Sequence, residues 1–213
     1  MASTPTHIVA TAQPTAAATE TGRLLVSLPL LANGALDAML TNLAAAFPDK
    51  VILVATPSAT SGATNPSPDT LHLLSYTPAT TAATTTWVLT AADYLNAFKL
   101  AEENQATACL LLGAEPQSLA PEAIRTLAAA VLDANADLAV AHYNLGPREG
   151  LVNSAILYPV TRALFAARPR FPLAIDLALS LRMAERLAAT AQKFTSINQS
   201  DAFLWPVAEA AAA

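Results

Sequence analysis

The sequence predicts an α/β domain built on a mostly parallel sheet. Three observations carry that expectation. Short apolar runs alternate with segments whose apolar residues recur at helical spacing; the connections at several points are only a few residues long; and 54% of the 213 residues are apolar against 13% charged, the reverse of a disordered composition. Alanine makes up about a quarter of the chain, far above ordinary usage.

Residues 1–21 are mainly Thr, Ala and Pro and read as a flexible leader, with residues 22–213 as one domain. The run RLLVSLPLL from Arg23 is a strand stopped by Pro29, and Asn33 and Gly34 turn the chain. Leu36, Met39, Leu40, Leu43 and Phe47 then share one helical face, before KVILVAT gives the second strand of a right-handed βαβ unit. A Ser/Thr/Pro/Gly loop covers 56–70, LHLLSY is a third strand, and TPATTAATTT is a second low-complexity stretch. The next helix starts at a Thr90 cap and turns Tyr94, Leu95 and Phe98 to the core. ATACLLLG is a strand, a helix follows with Pro121 and Glu122 in its first turn, and DLAVAHYN is a strand. About five strands and at least four helices result, with a mixed helical part from residue 151 onward.

Charge and special residues exclude several classes. A net charge of −5 and eleven basic residues argue against a nucleic-acid partner, which needs a basic field. Three arginines nevertheless cluster at Arg162, Arg168 and Arg170. No apolar run reaches the length of about 18 residues that a membrane span requires. A single cysteine, Cys109 in ACLLLG, excludes an intrachain disulfide and reads as an inert buried thiol. With no signal-peptide pattern at the amino terminus, a cytoplasmic setting is expected. His7 lies in the leader, and His72 and His142, in strand-like runs without carboxylate or Cys at metal spacing, read as structural.

In open α/β sheets ligands sit beyond the carboxyl ends of the strands. There the first loop offers Pro29 and Asn33, the second only hydroxyls and Gly62, the third Glu115, and the fourth Tyr143, Arg148 and Glu149. Neither a dinucleotide fingerprint nor a P-loop is present.

The stretch CLLLGAEPQSLAPEAIRTL resembles the strand, acidic turn and helix start of GT-A glycosyltransferases, in particular the group related to glucosylglycerate and mannosylglycerate synthases. The later match is more specific. Tyr143, Gly150, Asn153, Tyr158, Pro159, Arg162, Arg170, Pro172, Asp176 and Ser180 follow the family's strand-end Tyr, Gly-x-x-Asn, Tyr-Pro-x-x-Arg, Arg-x-Pro and late Asp followed by Ser. Asp201 and Phe203 echo its late Asp-x-Trp-Leu segment. The chain departs at three donor-side points: Gly113-Ala114-Glu115 replaces Asp-x-Asp, the acidic pattern after the second strand is missing, and Leu89-Thr90-Ala91 replaces Gly-Lys-Gly.

The resemblance implies a three-layer GT-A-like α/β/α fold and binding of a nucleotide-diphosphate sugar. Transfer to a small acceptor would be impaired, or the chain would be a non-catalytic homologue serving as a binding or dimerisation partner of itself or a paralogue. Asp176 would be catalytic, and Pro29, Asn33, Tyr143, Asn153, Arg162, Arg168 and Arg170 would bind substrate. Glu115 would hold Mg²⁺ or Mn²⁺ weakly, since such ions need only one or two carboxylates beside substrate phosphates, or the arginines would meet the phosphates without metal. Each residue also has a plain reading. Glu115 suits a helix start, Asp176 a helix cap, the arginines a solvated helix end, and Tyr143 and Asn153 a core and a turn.

Overall fold

The computed structural model describes residues 5–10, 23–32, 34–57, 70–78, 88–113, 115–144, 146, 149–165, 168–173, 175–196 and 204–213. Seven strands form one sheet. They are β1 (Pro5–Ala10), β2 (Arg23–Ser27), β3 (Ile52–Pro57), β4 (Leu71–Tyr76), β5 (Ala106–Leu111), β6 (Leu138–Tyr143) and β7 (Leu177–Ser180), in the order β1-β6-β7-β5-β2-β3-β4. Strands β4, β3, β2 and β5 run parallel, β7 is antiparallel to both β5 and β6, and β1 is antiparallel to β6. The helices are α1 (Leu36–Ala46), α2 (Ala91–Glu103), α3 (Pro121–Leu132), α4 (Tyr158–Phe165), α5 (Leu181–Ser196) and α6 (Trp205–Ala211).

Alternation along the strands builds the layers, because successive side chains leave a strand on opposite faces. Leu24, Val26, Ile52, Val54 and Leu110 pack on one face with Met39 and Leu43 of α1 and Ile124 and Leu127 of α3. Leu25, Leu53, Cys109, Leu111, Val140 and Leu179 pack on the other with Tyr94, Ala97 and Ala101 of α2 and Met183, Ala184 and Leu187 of α5. Among the buried alanines, Ala91, Ala97 and Ala101 of α2 share one cluster with Ala184 and Ala191 of α5, where the two helices lie against each other. Small side chains there let two backbones approach while costing little helical propensity.

Local chemistry fixes the ends of these elements. Asp93 accepts hydrogen bonds from the Thr90 backbone N–H at 2.7 Å and from its hydroxyl at 2.9 Å, anchoring the start of α2. Arg125 of α3 donates from Nε to the Ala46 carbonyl at 2.9 Å and from Nη2 to that of Ala45 at 3.0 Å, satisfying carbonyls that α1 leaves open at its end. Ser180 accepts from the Met183 N–H at 3.1 Å and so caps α5. Its hydroxyl donates to Asp137, whose other oxygen pairs with Arg182.

Two elements differ from the sequence reading. Pro5–Ala10, inside the segment read as a leader, is the edge strand β1, paired from Ala10 opposite Ala139 to His7 opposite His142. The β-branched Thr6, Ile8 and Val9 suit a strand, but Thr/Ala/Pro flanks hide so short a signal. Leu177–Ser180, inside the part read as mixed helical, is β7. Four residues of Leu, Ala and Ser carry no decisive period, and pairing with β5 and β6 sets their conformation. No helix among the described residues is long and apolar enough to cross a membrane.

Candidate functional site

The chain leaves β2 toward β3 and β4 and later returns to β5 on the other side, so the sheet reverses its order between β2 and β5. That switch point, at the carboxyl ends of the parallel strands, is where open α/β sheets place ligands. Beyond it the antiparallel β7 begins at the same edge. The residue before β7 is Asp176, which is fully buried.

Asp176 ties three strand ends together. Its Oδ1 accepts from the Gly113 N–H, just past β5, at 2.9 Å. Its Oδ2 accepts from the Tyr143 hydroxyl at the end of β6, and its backbone carbonyl accepts from Ala141 at 3.0 Å. Burial first, then the Asp176 carboxylate, hold the Tyr143 phenol well above its usual range, so Tyr143 stays a neutral donor. A side chain at Gly113 would crowd its neighbours: its Cβ would stand 3.0 Å from Leu30 Cδ1 and 3.1 Å from Ile175 Cβ. The floor of the switch point is therefore closed by Leu30, Gly113 and Ile175.

From Tyr143 a series of contacts leads to larger groups. Phe171 stacks edge-on against Tyr143 with centroids 5.4 Å apart and lies 5.1 Å from the His142 ring. Asn153 donates from its side-chain amide to the Arg170 carbonyl, and the Arg170 guanidinium lies 5.2 Å from the Tyr158 ring centroid, a cation–π contact. Asn153–Leu157 is a π-helical segment leading into α4. Tyr158 donates its backbone N–H to the Asn153 carbonyl, the i→i+5 bond of a wide turn. Pro159 explains it, since proline has no N–H for the Ala155 carbonyl and its ring crowds that carbonyl. The wide turn sets Asn153 and Tyr158 on either side of Arg170.

Tyr143, Asn153, Arg170 and Asp176 are thus linked through Phe171, which follows Arg170 and packs on Tyr143. Asp176 stands there as a clasp, fully buried and with both its oxygens accepting bonds inside the protein. Pro29 is half-buried in the turn beside Leu30. Arg162 and Arg168 are exposed and join no hydrogen bond or ion pair to the cluster among the described residues. Asn33, Arg148, Asp201 and Phe203 lie outside the described residues, as do the hydroxyls and glycine of the second loop. Ser180 lies at the far end of β7 from Asp176, where it caps α5.

Glu115 is exposed, and its Oε2 accepts from the Gln117 amide. Among the described residues no group of three or more His, Cys, Asp or Glu is placed to hold a metal ion. Asp176 is enclosed with its oxygens bonded inside the protein, so it offers no second ligand beside Glu115.

No family model, curated protein or solved structure matches the chain. The site also contains residues that the sequence did not single out. Phe171 and Ile175 carry no motif of their own, and Gly113 read only as part of a loop. The one signal for Gly113 is a glycine directly after an apolar strand, which often marks close backbone approach.

Proposed function

We propose that the chain is a GT-A-like protein that binds a nucleotide-diphosphate sugar at the carboxyl edge of the sheet, without a metal, and with transfer impaired or lost. The carrying observation is the arrangement of Tyr143, Asn153, Arg170 and Asp176 around the end of β5. A mixed, layered α/β sheet with its switch point beside this cluster is compatible with that fold.

In this reading Arg170 neutralises diphosphate charge. Its backbone is held by Asn153 and its guanidinium rests on Tyr158, so little ordering is left to do on binding, and a planar guanidinium suits phosphate oxygens. Phe171 and Tyr143 supply an aromatic wall. Asp176, fully buried, positions Gly113 and Tyr143. Leaving-group stabilisation by a cation is absent from this scheme, which is why transfer is weak.

Calorimetric titration with uridine- and guanosine-diphosphate sugars tests this. Saturable binding is expected, the same with and without Mn²⁺, weakened about tenfold or more in Arg170→Ala through loss of a charge-assisted contact and unchanged in Glu115→Ala. Absence of heat with every donor at millimolar concentration would overturn the proposal. Binding that requires Mn²⁺ and Glu115 would overturn its metal-free part.

A further inference from the structure

The helical run from Leu151 through α4 is turned the opposite way from an ordinary surface helix. Leu151, Val152, Ile156, Val160 and Leu164 are 59%, 63%, 56%, 37% and 68% exposed. Thr161, by contrast, is fully buried, its hydroxyl donating to the Leu157 carbonyl at 2.8 Å. Among the exposed positions of this run only Ser154 and Arg162 are polar. The apolar residues recur at fourth positions, which on a helix lie one above another, so they form a continuous ridge. Isolated surface leucines are ordinary, whereas a contiguous apolar strip marks an interaction surface.

Charge says what the ridge meets. The chain carries −5 overall, yet four of its eleven basic residues, Arg148, Arg162, Arg168 and Arg170, fall between 148 and 170 against a single acid, Glu149. Arg162 stands on the helix itself and Arg168 just past its end, both exposed. At physiological salt, charges beyond about 8 Å are largely screened, and the one acid that α6 brings against α4, Glu209, is paired with Arg186.

We infer that this ridge lies in the headgroup layer of an anionic lipid bilayer, its leucine, isoleucine and valines entering the acyl boundary and Arg162 and Arg168 meeting lipid phosphates. An apolar helical face flanked by arginine is the pattern of interfacial helices, and arginine stems extend toward headgroups while the neighbouring face stays apolar. A second copy of the chain is a poorer occupant. A run of this length covers roughly 22 Å by 10 Å, well short of the area of about 800 Å² per partner in a stable interface. A bilayer needs no matching shape.

Sedimentation with large unilamellar vesicles tests this on the full chain. Vesicles of phosphatidylcholine with about 30% phosphatidylglycerol, an anionic surface, should pellet the protein, while pure phosphatidylcholine should pellet it about tenfold less. Ile156→Ser with Leu164→Ser should lower binding about tenfold with the circular-dichroism spectrum unchanged. Arg162→Glu with Arg168→Glu, which leaves the ridge intact, should remove the preference for anionic vesicles. Failure to pellet with anionic vesicles overturns the inference, and so does pelleting that ignores these substitutions. A concentration-dependent dimer that Ile156→Ser abolishes would assign the ridge to a second copy instead. Sugar-nucleotide titration of the serine variant should be unaltered, so this inference and the binding proposal fail separately.

Discussion

Asp176 and its two donors form an asymmetric set, and the asymmetry sets the size of each substitution. Asp176→Ala strands a buried N–H at Gly113 and a buried hydroxyl at Tyr143, whereas Tyr143→Phe removes one donor from a carboxylate that keeps the Gly113 N–H. Buried polar groups left unpaired cost the full desolvation penalty. Urea unfolding should therefore show Asp176→Ala less stable by about 3 kcal/mol and Tyr143→Phe by about 2 kcal/mol. At Gly113 the added methyl meets Leu30 and Ile175 at 3.0 and 3.1 Å. Gly113→Ala should cost about 2 kcal/mol by overpacking, with recovery in a Gly113→Ala, Leu30→Ala double variant; a neutral Gly113→Ala would show that the floor yields. Sequence reading found Asp176, because a carboxylate in the apolar run PLAIDLALS is costly unless partnered. It could not tell partners inside the protein from a substrate outside it, since Gly113 lies 63 residues away in the chain and only the fold brings the two together.

Among the elements, α2 and α5 show how the alanine content is used. Ala97 and Ala101 on one helix and Ala184, Ala188 and Ala191 on the other are buried, so the pair is fitted through methyl groups. Ala101→Leu should destabilise by about 2 kcal/mol and lower Tm by about 6 °C for a domain of this size. The same substitution at Ala189, on α5 but outside the buried set, should change Tm by no more than about 1 °C. These helices were legible in advance: the Thr90 cap and the spacing of Tyr94 and Phe98 foretell α2, and Pro121 with Glu122 foretells α3. The strands β1 and β7 were not. Their residues have weak or mixed propensity, and the hydrogen bonds that make them strands come from β6 and β5, far away in the chain.

For the molecule as a whole, acidity constants set an alkaline limit. Burial pushes the Cys109 thiol up to about 12, and burial, then the charge of Asp93, push the Tyr76 phenol up to about 12. A group whose constant is raised on folding favours the folded state in its protonated form. That contribution is complete below the unfolded values of 9.0 and 10.0 and is lost as pH rises to about 12. Stability in urea should thus be flat near neutrality and fall through this window, and Cys109→Ala should flatten the first part of the fall. In the same range a thiol reagent should react with Cys109 only as the protein opens. The buried place of Cys109 was legible in its apolar run ACLLLG. The direction of α4's apolar face was not, because periodicity gives the width of a stripe and leaves open which way it points.

Strand β7 has a further consequence for motion. Within the sheet, among the described residues, β1 and β6 are hydrogen-bonded to the parallel half through the four residues of β7, in the order β1-β6-β7-β5. Asp176, at the start of that narrow seam, is bonded across it to Gly113 on the β5 side and to Tyr143 on the β6 side. Amide protons of β1, β6 and β7 should exchange with solvent as one cooperative unit, opening below the global unfolding free energy, while those of β2, β3 and β5 wait for complete unfolding. The clasp therefore sets how often one half of the sheet peels away from the other.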